Sequence, residues 1–246
     1  MSKFKLLALA AVAATALGSV PAAAITTFAS FTPSDTSPNV RYTDGSLFTA
    51  VGGVGGLSAV DVLFTLLVGG NPALQGVSAS YTLNATVPTD TLPVAGAFNL
   101  ANATGVFSIL TNNAINAGGT LYAAGSNLLS GSFSSGFLDG TVDGTSGVVR
   151  GSTDGGATIS FTSDFLDFSG IETFDFSLPL TAVTQPFGPT SGTVRDFTAS
   201  MGGQFSSEPL PAVGGVPEPT TWAMLVLGFG LVGVTARRRK MVSVTA

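Results

Sequence analysis

The chain has no cysteine and no histidine, and only 9% of its 246 residues are charged. Each absence removes a class of chemistry. Without His there is no Ser-His-Asp triad, no imidazole switch near neutral pH and no histidine-based metal site. Without Cys there is no thiol nucleophile, no disulfide framework and no zinc ribbon. Stability must then come from core burial alone, and the chain is long enough for that. Positive charge is scarce in the central part. Residues 25–216 hold 13 acidic groups against three arginines, Arg41, Arg150 and Arg195, a net of −10. A body this acidic repels nucleic acid and anionic lipid, so no nucleic-acid partner is expected, and no motif calls for a cofactor.

What the sequence does contain is most distinctive at its ends. Lys3 and Lys5 precede an uncharged run from Leu6 to Leu17, followed by Gly18, Ser19, Val20 and Pro21. Ala22 and Ala24 then stand at the −3 and −1 positions of a cleavage site before Ile25. This layout predicts a secretory signal peptide over residues 1–24. Near the other end, Pro217-Glu218-Pro219 opens an uncharged stretch over 220–236, closed by Arg237, Arg238, Arg239 and Lys240. As a helix that stretch would rise about 26 Å, slightly less than a bilayer's hydrocarbon core. Trp222 suits one interface, and the basic side chains can snorkel at the other. The positive-inside rule leaves the arginines in the cytoplasm and the acidic body outside, the topology that the signal peptide also requires.

Val216-Pro217-Glu218-Pro219-Thr220-Thr221-Trp222-Ala223-Met224, an apolar span and an arginine cluster resemble the PEP-CTERM sorting signal in its PEPxxWA variant. The resemblance covers the residues from Val216 to the end; only the tail Met241–Ala246 departs from it, being longer than the family's abrupt stop. It implies recognition and cleavage near Pro-Glu-Pro by an exosortase, an integral-membrane transpeptidase-like protease. By position, Pro217, Glu218, Pro219 and Trp222 would be recognition elements, and Arg237 to Lys240 the stop-transfer cluster. Proteins so processed are associated with exopolysaccharide and biofilm matrix. A G-x-G-x-x-G run inside the span, Gly228 to Gly233, lacks the strand, helix and downstream acid of a dinucleotide site. Close helix approach in a membrane accounts for it better.

Between the ends, period-two alternation dominates. Val77, Ala79, Tyr81, Leu83, Ala85 and Val87 alternate with Ser78, Ser80, Thr82, Asn84 and Thr86, a strand with one dry and one wet face. Ala157 to Thr162 and Phe174 to Leu180 repeat the pattern, Thr193 to Phe205 predicts another strand, and Leu57 to Val68 reads as a central strand or a short buried helix. Asp-Gly at 44–45, 139–140, 143–144 and 154–155 predicts tight turns. The expected fold is all-β, a single antiparallel sandwich or jelly roll over residues 25–205. A Pro/Gly linker over 206–216 would lead to the sorting signal and membrane helix over 217–246.

Candidate chemistry in the body is thin. Asp139, Asp143, Asp154, Asp164 and Asp167 sit around Gly-rich loops and offer hard oxygen ligands for Ca²⁺, though their spacing fits neither an EF-hand nor a nonapeptide repeat. Turn residues explain them as well. Asp164, Asp167, Glu172 and Asp175 are the nearest thing to a glycosidase carboxylate pair. Phe161, Phe165, Phe168, Phe174 and Phe176 read as core. The expectation is therefore a non-enzymatic exported protein, anchored transiently at the membrane and associated with exopolysaccharide, its partners an exosortase-type protease and the membrane. The alternatives are a Ca²⁺-dependent carbohydrate-binding module or a polysaccharide hydrolase.

Overall fold

The computed structural model describes residues 25–190 and 193–213. Within them strands dominate, with two short 3-10 turns at Val51–Gly53 and Pro72–Leu74. β1 (Thr26–Pro33) and β2 (Val40–Thr43) lead to a turn at Asp44-Gly45, and β3 (Ser46–Thr49) and β4 (Val60–Leu66) return from it. β5 (Val77–Thr86) and β6 (Ala97–Thr111) follow, then a small hairpin of β7 (Ile115–Ala117) and β8 (Thr120–Tyr122). The long β9 (Asn127–Thr141) is answered by β10 (Gly147–Ser152) and β11 (Thr158–Thr162). Next come the short β12 (Leu166–Asp167) and the long β13 (Thr173–Thr184). Another small hairpin, β14 (Pro189–Thr190) and β15 (Thr193–Val194), precedes β16 (Phe197–Met201), β17 (Gly203–Glu208) and β18 (Ala212–Val213).

The ladders close on themselves. From β5 the pairing runs through β4, β1, β17, β13, β10, β9 and β6 and back to β5, every step antiparallel. A second route, β5–β3–β2–β16–β13, fills the other half of the same wall. Thus β1 with β2, β4 with β3, and β17 with β16 are halves of three staves, each broken by a short bend. Consecutive staves pair in chain order and the last closes on the first.

The all-β, antiparallel expectation holds. The sandwich and jelly-roll detail is corrected. A jelly roll pairs strands distant in the chain by Greek-key connections, whereas here the order is up-and-down and the sheet is one closed wall without long free edges.

The expected alternation places the core. In β5, Ala79, Tyr81, Leu83 and Ala85 are buried, and in β11, Ile159 and Phe161 are. Leu57 to Val68 resolves as the strand β4, with Val60, Val62, Phe64 and Leu66 inside and Leu63 outside. In β13 the alternation holds from Phe176 to Leu180. It then breaks at Ala182, whose φ of 50° accompanies a register shift and brings Val183 inward. The strand expected from Thr193 to Phe205 is interrupted between β15 and β16 and bends again at Gly202. Three of the four Asp-Gly pairs lie in turns. Asp139-Gly140 instead lies inside β9.

Most glycines on the strands follow a second rule: five of the seven on described strands stand opposite aromatic rings, while Gly136 and Gly147 do not. The ladder pairs Gly203 with Phe31, Gly131 with both Phe107 and Phe161, Gly105 with Phe133, Gly140 with Phe98, and Gly151 with Phe176. A Cβ on Gly131 would fall 2.8 Å from ring carbons of both Phe107 and Phe161. On Gly140 it would fall 2.5 Å from Phe98. Each ring lies across the bare backbone opposite it, and that is why Asp139-Gly140 is a strand and not a turn.

Part of the stretch expected as a linker over 206–216 is described, and it carries strand. Ser206 to Glu208 belong to β17, and Ala212–Val213 pairs with Leu166–Asp167. Val213 also covers Gly69, where a Cβ would come within 2.5 Å of its side chain. The signal peptide over 1–24 and the segment over 217–246 lie outside the described residues. Among the described residues, no helix is long and apolar enough to cross a membrane.

The Phe–Gly rule is testable. Gly203→Ala would place a methyl 2.1 Å from a Phe31 ring carbon and against Leu178. It is expected to cost about 1–3 kcal/mol in denaturant unfolding. Gly56→Ala, in open space, should change stability by no more than about 0.5 kcal/mol. Equal midpoints for the two variants would refute the packing argument.

Candidate functional site

The sorting-signal residues Pro217, Glu218, Pro219 and Trp222, the basic cluster Arg237 to Lys240, and Ala22 and Ala24 all lie outside the described residues. The acidic residues of the body are described, and several make local contacts, although one oxygen of Asp175 is buried without a partner. Asp139 accepts from Arg150 Nε and from Asn99, while the Arg150 guanidinium also lies 5.0 Å above the Phe137 ring. Asp143 adopts a turn conformation with φ of 62°. Asp154 lies in the turn between β10 and β11. Asp164 accepts the Asn127 backbone N–H at 2.7 Å.

Asp167 accepts both the backbone N–H and the hydroxyl of Ser169, each at 2.8 Å. The backbone bond first, and the hydroxyl second, hold its carboxyl below the usual aspartate value. Among the described residues, no three acidic groups come together closely enough to hold a metal. Of the five aspartates weighed as Ca²⁺ ligands, Asp143 and Asp154 lie in turns, whereas Asp139 and Asp167 lie on strands β9 and β12.

The residues that do converge were not singled out from the sequence. At the end of the barrel bearing the Asp44-Gly45 turn, a cleft of about 700 Å³ is lined by Asp44, Gly45, Thr89, Gln185, Arg195 and Asp196, with Val194. A smaller cleft of about 340 Å³ adjoins it, sharing Gln185 and Asp196 and adding Arg41. Four separate stretches of chain meet there: the β2–β3 turn, the β5–β6 loop, the exit of β13 and the entry to β16.

The turn is fixed by its own chemistry. Asp44 and Gly45 have φ of 48° and 80°, the paired positive values of a two-residue hairpin. The Val87 N–H donates to the Gly45 carbonyl at 2.7 Å and ties β5 to the turn. Thr43 donates its hydroxyl to Asp196 at 2.8 Å, and the Arg195 N–H donates to Gly188 O at 3.0 Å. The Arg195 guanidinium covers Gly188 so closely that a Cβ there would fall 2.5 Å from Nη2.

Tyr42, fully buried, lies beside the residues that line this cleft without lining it itself. Its ring stacks on Phe197 with centroids 5.1 Å apart and planes 9° apart. Burial, and then the Asp196 carboxylate, push the phenol above its ordinary ionisation range, while the nearby Gly45 backbone works the other way. That backbone contact falls short of hydrogen-bond geometry, and the Tyr42 hydroxyl is buried without a partner. The Nε of Arg195 is likewise buried and unpartnered.

The carboxylates weighed from the sequence as a glycosidase pair lie away from this cleft. None of Asp164, Asp167, Glu172 and Asp175 lines it. The side chains of Asp44 and Asp196, which do line it, are exposed.

The chain is thus an antiparallel β body followed by a C-terminal address. That address is a PEP-CTERM protein-sorting motif, matched over residues 215–240 by the model of that family. The motif indicates an exported, surface-sorted protein. No curated protein and no solved structure matches the chain.

The Asp167 environment yields a measurable expectation. Asp167 should titrate below the ordinary aspartate value of about 3.9 in a carboxyl-resolved NMR titration. Ser169→Ala should move it upward by removing one of its two bonds. Because the folded value is the lower one, any stabilisation from this group is present above the unfolded value and lost as pH falls through the folded value. An unchanged midpoint in the variant would show the hydroxyl bond to be absent in solution.

Proposed function

We propose that this is a non-enzymatic surface or extracellular-matrix protein. A signal peptide exports it, its C-terminal apolar segment holds it transiently in the membrane, and an exosortase-type protease releases it at Pro217-Glu218-Pro219. Once delivered, the β body acts by contact with exopolysaccharide. The observation that carries this reading is the sorting motif at residues 215–240.

The strand directions of the body support it. β1 begins where β17 ends, Thr26 pairing with Ser207. β18 lies past that same end, so both ends of the body that lead to membrane-directed segments leave from one end of the barrel. The Asp44-Gly45 turn and the cleft lie at the opposite end. A protein held by its C-terminal segment would present the cleft outward, away from the bilayer.

Intact-mass spectrometry of protein from the native envelope tests the proposal. The expected species begins at Ile25 and lacks the residues beyond the Pro-Glu-Pro. Glu218→Ala with Pro219→Ala should instead accumulate a membrane-bound form ending at Ala246. Wild-type protein from the envelope that still ends at Ala246 would overturn the processing step.

A further inference from the structure

The outward end of the barrel carries polar groups that the fold itself leaves unused. Arg150, one of the three arginines of the body, is paired with Asp139. Among the described residues, Arg41 and Arg195 have no carboxylate within ion-pair distance. These two line the adjoining clefts on either side of Asp196. Tyr42, with no exposed surface, has an unpartnered hydroxyl behind the same wall, and Arg195 Nε is buried and unmet. Leaving such groups without partners costs stability. Of the four buried side-chain atoms without a partner among the described residues, Tyr42 Oη and Arg195 Nε belong to this end, and those of Thr173 and Asp175 lie at the other, at the start of β13.

The chemistry of the lining narrows the ligand. Asp44 and Asp196 balance Arg41 and Arg195, so the site is electrically neutral within a body of net −10. A small anion would meet the repulsion of that body, and two carboxylates beside guanidinium groups are a poor cation cage. A peptide would seek apolar pockets or a free strand edge. Here Val194 is the one aliphatic residue lining the larger cleft, and the sheet is closed. What the groups do match is a neutral molecule rich in hydroxyls. Carboxylates accept from adjacent hydroxyls, while a guanidinium and a carboxamide donate to hydroxyl and ring oxygens. A volume of about 700 Å³ is within the range of small-molecule sites.

We propose that the cleft around Asp196 binds a neutral saccharide, with Asp44 and Asp196 accepting from its hydroxyls and Arg195 and Gln185 donating to its oxygens. This deepens the surface-contact reading above by naming site and ligand. The binding chemistry itself does not depend on the sorting signal.

The test uses the full chain, purified in a non-glycosidic detergent and titrated calorimetrically with maltotetraose, cellotetraose and trigalacturonic acid. At least one neutral tetrasaccharide should bind saturably, with an affinity unchanged by a chelator, while the anionic sugar binds more weakly. Arg195→Ala and Asp196→Asn should each weaken binding about tenfold or more. Gln185→Gly removes the amide while suiting the backbone, whose φ there is 61°. It should weaken binding in a protein that still folds, as judged by thermal unfolding. Ser160→Ala, on the outer wall, should change nothing.

Absence of saturable binding by both neutral sugars would overturn the proposal. So would preference for the anionic sugar, or binding that survives both Arg195→Ala and Gln185→Gly. Normal tag processing without sugar binding would sink this inference alone. Sugar binding by a chain that is never processed would sink only the sorting account.

Discussion

The constraint on which the fold depends is steric: a phenylalanine ring lies across a backbone that has no side chain. A closed wall of eight staves has a narrow interior, and the twelve buried phenylalanines cannot fill it if every facing position also carries a Cβ. Placing glycine directly opposite phenylalanine in the ladder solves this at Phe31, Phe98, Phe107, Phe133, Phe161 and Phe176. The rings then meet one another. Phe107 stacks on Phe205 at 5.0 Å, and Phe161 meets Phe28, Phe174 and Phe205 edge-on at 5.1–5.7 Å. Glycine in a strand normally weakens it. Here the loss is offset by aromatic surface that each glycine allows inside. A chain without disulfides, and with one ion pair among its described residues, draws its stability from this arrangement.

Closure then settles polarity. Up-and-down staves put alternate connections at opposite ends, so the two ends of the wall are free to differ. One end receives the start of β1 and the finish of β17, with β18 pinned to β12. The other receives the Asp44-Gly45 turn, the β5–β6 loop and the segment entering β16. Polar residues that would disrupt the aromatic interior gather in these second connections, where water reaches them. The cleft is thus a product of connectivity. It forms where loops meet over the end of a filled barrel.

Much of this was legible one stave at a time. The alternation in β5 and β11 gave the correct inward faces, and Asp44-Gly45 was readable as a two-residue turn because both residues tolerate positive φ. The sorting motif was readable because its signal is local and linear. Closure was not readable, since period-two patterning says which face is dry and nothing about which strand is the neighbour. A sandwich and a barrel write the same alternation. Asp139-Gly140 misled because the turn signal and the Phe-facing glycine use the same two letters. The identity of the opposing residue, Phe98, decides between them, and it lies about forty positions away. The cleft was invisible for the same reason. Its residues come from positions 44, 89, 185 and 194–196, and none carries a local motif.

The shortened linker has a consequence for how such a body relates to its tag. If Ser206 to Val216 were free, the body would hang well clear of the bilayer. With Ala212–Val213 paired to β12, only the residues between Val213 and Pro217 remain, a reach of about 13 Å even when fully extended. The β12–β18 pairing is two residues long, far weaker than the closed wall beside it, and frays at much smaller cost. Stem and body are therefore separable by energy as well as by position. Under the processing proposed above, the stem would detach and lengthen the reach to the protease while the aromatic interior stays shut. A longer β18 would have fused tag and barrel into one cooperative unit, so that freeing the stem would have required disturbing the core.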